Sequence, residues 1–301
     1  MSNGDPGCRG DGSGGETDST STPAATGQCT RTGARGDENP KVEELRQSGV
    51  EIIAGDLKQV DTLDAACKGV DTVITTATSM PSNADDGLRK VDHEGGLALI
   101  AAADRAGVAK FVYTSYSGNI RPECPLGGAK RDCEDQLRKT SMQAVTLRPS
   151  YFMESWLSPA LGFDPVAGRV RIYGTGEAKI SYISAVDVAK FAVVAATKKL
   201  DRQTTLEIGG PEALSQLDAV RIFENALHKK IALDYVPQAA IEEQHRTAVE
   251  PLQKSFAALT LAITQGDEVP GASELAKEYG IDLRSVADYA ASITASAART
   301  A

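Results

Sequence analysis

Val70-Asp71-Thr72-Val73-Ile74-Thr75 and Lys110-Phe111-Val112-Tyr113-Thr114-Ser115, with residues 88–106 between them, decide the fold. Both runs are short and rich in β-branched and aromatic residues, which is the pattern of a strand. The stretch between them reads as a long helix closed by Gly107. A strand, a crossover helix and a second strand make a βαβ unit, and such units force a parallel sheet covered on both faces. The alternation extends outward on either side. Pro40–Gln47 reads as a helix, 50–56 as a strand ending in Gly55-Asp56, and 63–68 as a short helix. Residues 128–139 read as a helix and 144–147 as a strand stopped by Pro149. Beyond Pro149 the pattern loosens: 169–173 and 205–208 read as strands, and 186–197, 217–228, 238–264 and 273–296 as helices. The fold class is therefore α/β, a doubly wound, mostly parallel Rossmann-like sheet. A smaller C-terminal α/β cap completes it. The sheet part covers about 40–155 and the cap mainly 156–301.

Composition breaks sharply at the N-terminus. None of the first 41 residues is Val, Ile, Leu, Phe, Tyr or Trp, and glycine stands at 4, 7, 10, 12, 14, 15, 27, 33 and 36. A segment without large apolar side chains cannot offset its ordering entropy by burial, so residues 1–39 are expected to be a disordered tail. No run approaches the ~20 apolar residues of a membrane span, and the acidic, apolar-free start matches neither a secretory signal nor a presequence. A cytoplasmic protein that meets no membrane is the expectation. A net charge of −9 and a pI near 5.0 argue against a nucleic-acid partner, whose phosphates require Lys/Arg neutralisation. Cysteines 8, 29, 67, 124 and 133 form no CxxC pair and His93, His228 and His245 are isolated. No metal site is expected, and HExxH and GxSxG are absent.

In open α/β sheets, ligands bind beyond the carboxyl ends of the strands. Asp56, the stretch Thr76-Ala77-Thr78, the loop Ser115-Tyr116-Ser117 and residues 149–153 follow four successive strands and should line one crevice.

Several motifs in order resemble the NmrA-like branch of the atypical short-chain dehydrogenase/reductases. They are VEIIAGDL at 50–57, VDTVITTA at 70–77, and VDHEGGLALIAAADRAGVAKFVYTS at 91–115. To these are added the helix opening at Lys130, TLRPSYF at 146–152, the stretch 183–188 and Gly209-Gly210-Pro211. That branch includes nicotinamide-dependent quinone and dye reductases and some redox-sensing regulators. The resemblance implies NADP or NAD as cofactor and a small-molecule hydride acceptor; the oligomeric state stays open. It gives Asp56 to the adenine amine and Leu57 to the adenine ring, against the bland reading of an acidic strand-end turn. Thr76, Ala77 and Thr78 would lie along the cofactor ribose, against a plain strand end. Lys130 would hydrogen-bond the nicotinamide ribose, against a solvated helix lysine paired with Glu134. Pro149, Tyr151, Phe152 and Met153 would face the nicotinamide, against ordinary core packing. Asp187 reads as a helix cap, His93 as a helix-surface residue and Cys133 as a buried thiol.

Two positions depart from the pattern. Four residues before Lys130, where the superfamily's proton-donating tyrosine belongs, stands Leu126. Tyr113, Tyr116 and Tyr151 are substitutes, with Tyr116 and Ser115 nearest the strand end. An acceptor that takes its protons from water, such as a quinone or cationic dye, suits this site. The enzyme alternative is isoflavone-reductase-like reduction, and the non-enzyme alternative is a dinucleotide-binding redox sensor. The second departure precedes Val42, where no apolar strand leads into GxxGxxG. The echoes Ala25-Thr26-Gly27 and Thr32-Gly33-Ala34-Arg35-Gly36 follow no such strand, so the chain could lack the phosphate cradle and bind no cofactor. Arg35 is placed near where some relatives hold the NADP 2′-phosphate. The Gly/Arg/Thr/Ser-rich composition and the length of 1–36 match an out-of-frame reading of one β-α-β segment. Translating the encoding DNA in the other two frames is expected to show an apolar strand followed by GxxGxxG; its absence in both refutes that reading.

Overall fold

The computed structural model describes residues 29–31, 40–81 and 86–300. The tail expected at 1–39, with its glycine echoes and Arg35, lies outside the described residues except for the short strand Cys29–Arg31. The chain divides into two compact units, residues 1–29 with 35–53 and residues 30–34 with 54–301. In the first, helix Pro40–Gln47 ends at Gly49, whose φ of 82° lets the chain turn back so that Val50 N–H donates to the Leu45 carbonyl at 3.0 Å.

The second unit is built on a four-stranded parallel sheet in the order Thr72–Thr75, Lys110–Thr114, Gln143–Pro149, Gln203–Ile208. Val112 lies between Ile74 and Val145 in register. Strand alternation explains why both faces are covered. Phe111 and Tyr113 point into a cluster with Leu63, Val91, Leu99, Ile100, Cys133 and Leu137. Val112, Val145 and Leu147 point the other way, into a cluster with Val188, Phe191 and Ile208. The doubly wound parallel sheet read from the sequence is present.

The long helix is continuous as far as Arg105 but begins as a wider π-helix over Leu88–Gly95 before becoming α over Gly96–Arg105. Two glycines make this packing fit. A Cβ on Gly95 would stand 2.8 Å from the Leu57 carbonyl, and one on Gly96 2.7 Å from Cys133 Sγ. The helix therefore lies close to Leu57 on one side and to the helix Pro125–Lys139 on the other. In the widened turn Asp92 faces inward and is 2% exposed.

The cap holds a three-stranded sheet with Arg169–Tyr173 in the middle, antiparallel to Phe163–Asp164 and parallel to Ala232–Val236. Its core packs Ile172, Ile180, Tyr182, Phe223 and Ile263. The stretch expected as one helix over 238–264 is two, Gln238–Thr247 and Pro251–Gln265. Pro251 opens the second, since its ring cannot continue the first. Residues 273–296 likewise divide into Ala272–Glu278 and Val286–Thr300. Among the described residues no helix is long and apolar enough to cross a membrane.

Cap and sheet are joined at Gly210, where an added Cβ would stand 1.9 Å from the Tyr182 carbonyl oxygen. That is a backbone collision that no rotamer relieves. Gly210→Ala is expected to lose about 2–3 kcal/mol of stability by chemical denaturation, the upper part of the overpacking range.

Candidate functional site

The site is built where the strands Thr72–Thr75 and Lys110–Thr114 end against the first turns of the helix Pro125–Lys139. Pro125 supplies the pre-set φ of a first helical position, and Cys124 Sγ caps the turn by accepting from Gly127 N–H at 3.3 Å. Lys130, one turn in, is buried. Its Nζ reaches the Ala77 carbonyl at 3.4 Å and the Thr114 carbonyl at 3.5 Å. Asp92 Oδ1 is 3.6 Å away, and the Tyr113 ring centre lies 5.4 Å from Nζ. These contacts are longer than the usual N–H···O separation of about 2.7–3.2 Å. Among the described residues the ammonium is thus held by three long oxygen contacts and by no short one. Burial pushes the Lys130 amine down, and the Asp92 charge opposes this only in part, so the net shift is downward.

The solvated Lys130–Glu134 pair that the spacing allows does not form. Glu134 is buried and occupied elsewhere. It accepts from Ser115 Oγ at 2.6 Å, from Arg148 Nη2 at 2.5 Å, and from Arg131 Nη1. Burial raises the Glu134 carboxyl, but the hydrogen bonds from Arg148 and Ser115 and the two guanidinium charges outweigh it and hold it below the ordinary glutamate range. Arg148 also pairs with Glu207 at 3.0 Å, and Glu207 accepts from Gly118 N–H at 3.0 Å.

A second buried carboxylate does the same on the other side of the loop. Asp267 accepts from Ser117 Oγ at 2.6 Å, Asn119 Nδ2 at 2.9 Å and Ser150 Oγ at 2.8 Å. Tyr116 thus stands between two pinned serines. The Arg131 guanidinium lies 4.6 Å from its ring centre and donates to the Ser117 carbonyl at 2.9 Å. The phenol runs along the helix to Gly127, where a Cβ would stand 2.3 Å from Tyr116 Oη. Gly127 and Lys130 are one helical turn apart, so phenol and ammonium share a helix face. Burial, and then Cys124, raise the Tyr116 phenol while Arg131 lowers it, with a net upward shift.

The other sequence-named residues distribute differently. Thr76 and Thr78 are exposed at the strand end and Ala77 is half-buried, its carbonyl turned to Lys130. Asp56 Oδ1 accepts from Lys58 N–H at 2.9 Å in its own turn, and Leu57 is buried against the helix at Gly95. Pro149 pairs with Ile208. Tyr151 enters the cap core, donating from its hydroxyl to the Leu259 carbonyl at 2.8 Å and meeting Trp156 edge-on. Phe152 is half-buried and packs with the Ile183–Phe191 cluster, and Met153 is fully buried. Tyr113 is buried beneath Lys130, with burial raising its phenol far upward. Asp187 is not the cap of its helix; Ser184 is, and buried Asp187 instead accepts from Lys190 Nζ and Arg284 N–H, each at 2.7 Å. His93 pairs at the surface with Asp132, and Cys133 is buried. Asp92, Ser79, Arg131 and Asp267 escaped the sequence reading.

This arrangement, with its parallel sheet, helix-borne lysine and strand-end loop, agrees with a family model that matches residues 20–289, the NmrA-like family. The chain belongs to the NmrA-like family. The Photosystem II assembly factor Ycf39 of Synechocystis sp. is 30% identical over 65% of this chain. An NAD(P)H azoreductase of Xenophilus azovorans is 33% identical over 58% of it. The matches span 60% and 58% of those relatives' own lengths. Among solved structures, the NADPH-dependent quinone oxidoreductase of Escherichia coli in complex with NADPH superimposes with a TM-score of 0.71. It has 18% identity over 91% of this chain and 92% of its own. That likeness shows the shared fold.

For this NmrA-like chain the pinned loop yields a stability prediction. Glu134 has a folded pKa below its unfolded value, so its contribution is present above the ordinary glutamate pKa of 4.5 and is lost as pH falls through the folded value. Glu134→Gln is expected to lower stability at pH 7 by about 3 kcal/mol, within the range for breaking a buried ion pair. It should also flatten the acid-side loss seen in the wild type, as read by urea midpoints from pH 7 to pH 3.

Proposed function

We propose that the chain is an NAD(P)H-dependent reductase that passes hydride from NADP(H) or NAD(H) to a quinone-like or dye-like small acceptor. The observation that carries this reading is Lys130, a buried ammonium at the carboxyl ends of two parallel strands with its hydrogen bonds incompletely used. A ribose hydroxyl is the kind of ligand atom that these donors suit. The strand end Thr76-Ala77-Thr78, with Thr76 and Thr78 exposed, lies next to it. The names of the azoreductase relative and of the quinone oxidoreductase with the same fold support an acceptor with an extended conjugated system. A reduced nicotinamide, when bound, supplies the hydride.

The chain's own residues do the rest. Lys130 holds and orients the ribose. Tyr116 is a neutral phenol held at a fixed position beside Gly127, and its upward-shifted pKa makes it a hydrogen-bond donor to the acceptor more than a strong acid. Leu126, at the superfamily's tyrosine position, packs with Leu88, Cys124 and Ala258 and leaves an apolar wall at that end. The sheet part, about 40–155, takes the dinucleotide; the cap, mainly 156–301, selects the acceptor.

A second reading rests on the assembly-factor relatives and on Leu126: a dinucleotide-binding protein that acts on a partner protein without turnover. Titration with NADPH and NADH, followed by an acceptor panel of quinones, azo dyes and triphenylmethane dyes, separates the two. Saturable binding with acceptor-dependent oxidation is the expected result, and binding without oxidation favours the second reading. No binding at 1 mM cofactor, weaker than ~−4 kcal/mol, refutes both. Lys130→Ala is expected to weaken cofactor binding roughly 10–100-fold, the loss of one charged hydrogen bond of about 1.5–3 kcal/mol.

A further inference from the structure

Asp92 lies in the 91–115 motif without a role assigned to it there, yet its carboxylate meets Lys130. It is 2% exposed. Its two oxygens have unlike surroundings. Oδ2 accepts from Ser79 N–H at 2.8 Å and from Ser79 Oγ at 2.6 Å. Oδ1 is buried without a hydrogen-bond partner, with the Lys130 Nζ 3.6 Å away. Ser79 follows directly on the Thr76-Ala77-Thr78 strand end, so one serine fixes the carboxylate to the wall that Lys130 also touches.

We propose that Asp92, anchored by Ser79, is the positioning residue that keeps the buried Lys130 charged and aimed at the crevice. Two facts support it. A lysine this buried loses its proton readily unless a counter-charge is present. Among the described residues, the groups facing Lys130 from each packed element are Asp92 on the π-turn, Tyr113 on the strand beneath, the Ala77 and Thr114 carbonyls, and Cys133 on its own helix. Tyr113 and Cys133 both have raised pKa values and are neutral at pH 7. The counter-charge comes from Asp92. Because the separation is 3.6 Å and not a tight contact, Asp92 holds the ammonium without saturating it. The inference rests on the reductase reading for what Lys130 binds, but its anchor can be judged without any cofactor.

The test is a 13C-lysine NMR titration of the apo protein, with the Lys130 resonance assigned by its loss in Lys130→Met. In Asp92→Asn, which keeps the shape and an acceptor for Ser79, the Lys130 midpoint is expected to fall by about one pH unit or more. That is at least a tenfold rise in free amine at fixed pH. NADPH affinity in the same variant should fall further as pH rises. Should Asp92→Asn not fold, thermal midpoints of Lys130→Met and of the Lys130→Met/Asp92→Asn double variant replace it. The double variant is expected to be the more stable, because removing the lysine alone strands a buried charge. An unmoved Lys130 midpoint, or a double variant no better than the single, overturns the proposal. A wild type that binds no NADPH while its Lys130 midpoint still depends on Asp92 overturns the cofactor reading and leaves the anchor standing.

Discussion

A carboxylate that is 1% exposed stays ionised only if protein groups replace nearly all of its water, and Glu134 achieves this by drawing three segments together. Ser115 comes from the loop after one strand, Arg148 from the next strand, and Arg131 from the turn before it on the same helix. The desolvation cost of such a group is several kcal/mol, so none of the three can leave without exposing the others to it. Arg148 carries the constraint onward to Glu207 and the backbone of Gly118. The strand-end loop is therefore set by charge as much as by the sheet, and Tyr116 inherits its position from that loop.

Lys130 and Glu134 are one helical turn apart and have opposite characters. Glu134 is saturated with short hydrogen bonds; Lys130 has only long ones. Both are buried, so the difference lies in the partners supplied and not in access to water. A saturated residue makes a rigid frame, whereas an under-coordinated buried charge is stable only when a counter-ion stands nearby or a ligand completes it. Placing the two on successive turns sets the loosely bonded lysine against the fully bonded glutamate. The same division recurs across the loop, where Asp267 is fully bonded to Ser117, Asn119 and Ser150.

The sheet and its two covering layers were legible because β-branched runs alternating with helical stretches leave few topologies. The strand-end rule likewise picked out Ala77, Ser115 and Tyr116, and the family resemblance added Lys130, which the structure places beside Ala77 and Thr114. What the sequence hid was pairing. Lys130 and Glu134 have the spacing of an i,i+4 pair, but Arg148 offers a forked donor from an adjacent strand and takes the glutamate. Asp92 then serves the lysine from the π-turn, whose wider pitch has no period in the sequence. Asp267 lies 150 positions from Ser117, a distance at which local patterns carry no information. Tyr151 follows a strand end as Tyr116 does, yet its hydroxyl is drawn to the Leu259 carbonyl and its ring into the cap core. The small strands of the cap, two residues at Phe163–Asp164 and Lys179–Ile180, are too short to show alternation.

The absent helix tyrosine acquires a physical explanation from these contacts. A tyrosine at 126 would have to displace the packing that buried Leu126 makes with Leu88, Cys124 and Ala258. One position later the helix presents Gly127, and the missing Cβ is what admits the Tyr116 hydroxyl from outside the helix. The phenol is thereby delivered by a loop pinned at Ser115 and Ser117 instead of by the helix that carries the lysine. Its ring is covered by Arg131, whose charge opposes the effect of burial on the hydroxyl. Substituting Gly127 would therefore act on the loop-borne phenol while leaving the helix-borne lysine in place, so the phenol and the ammonium can be separated by a single methyl.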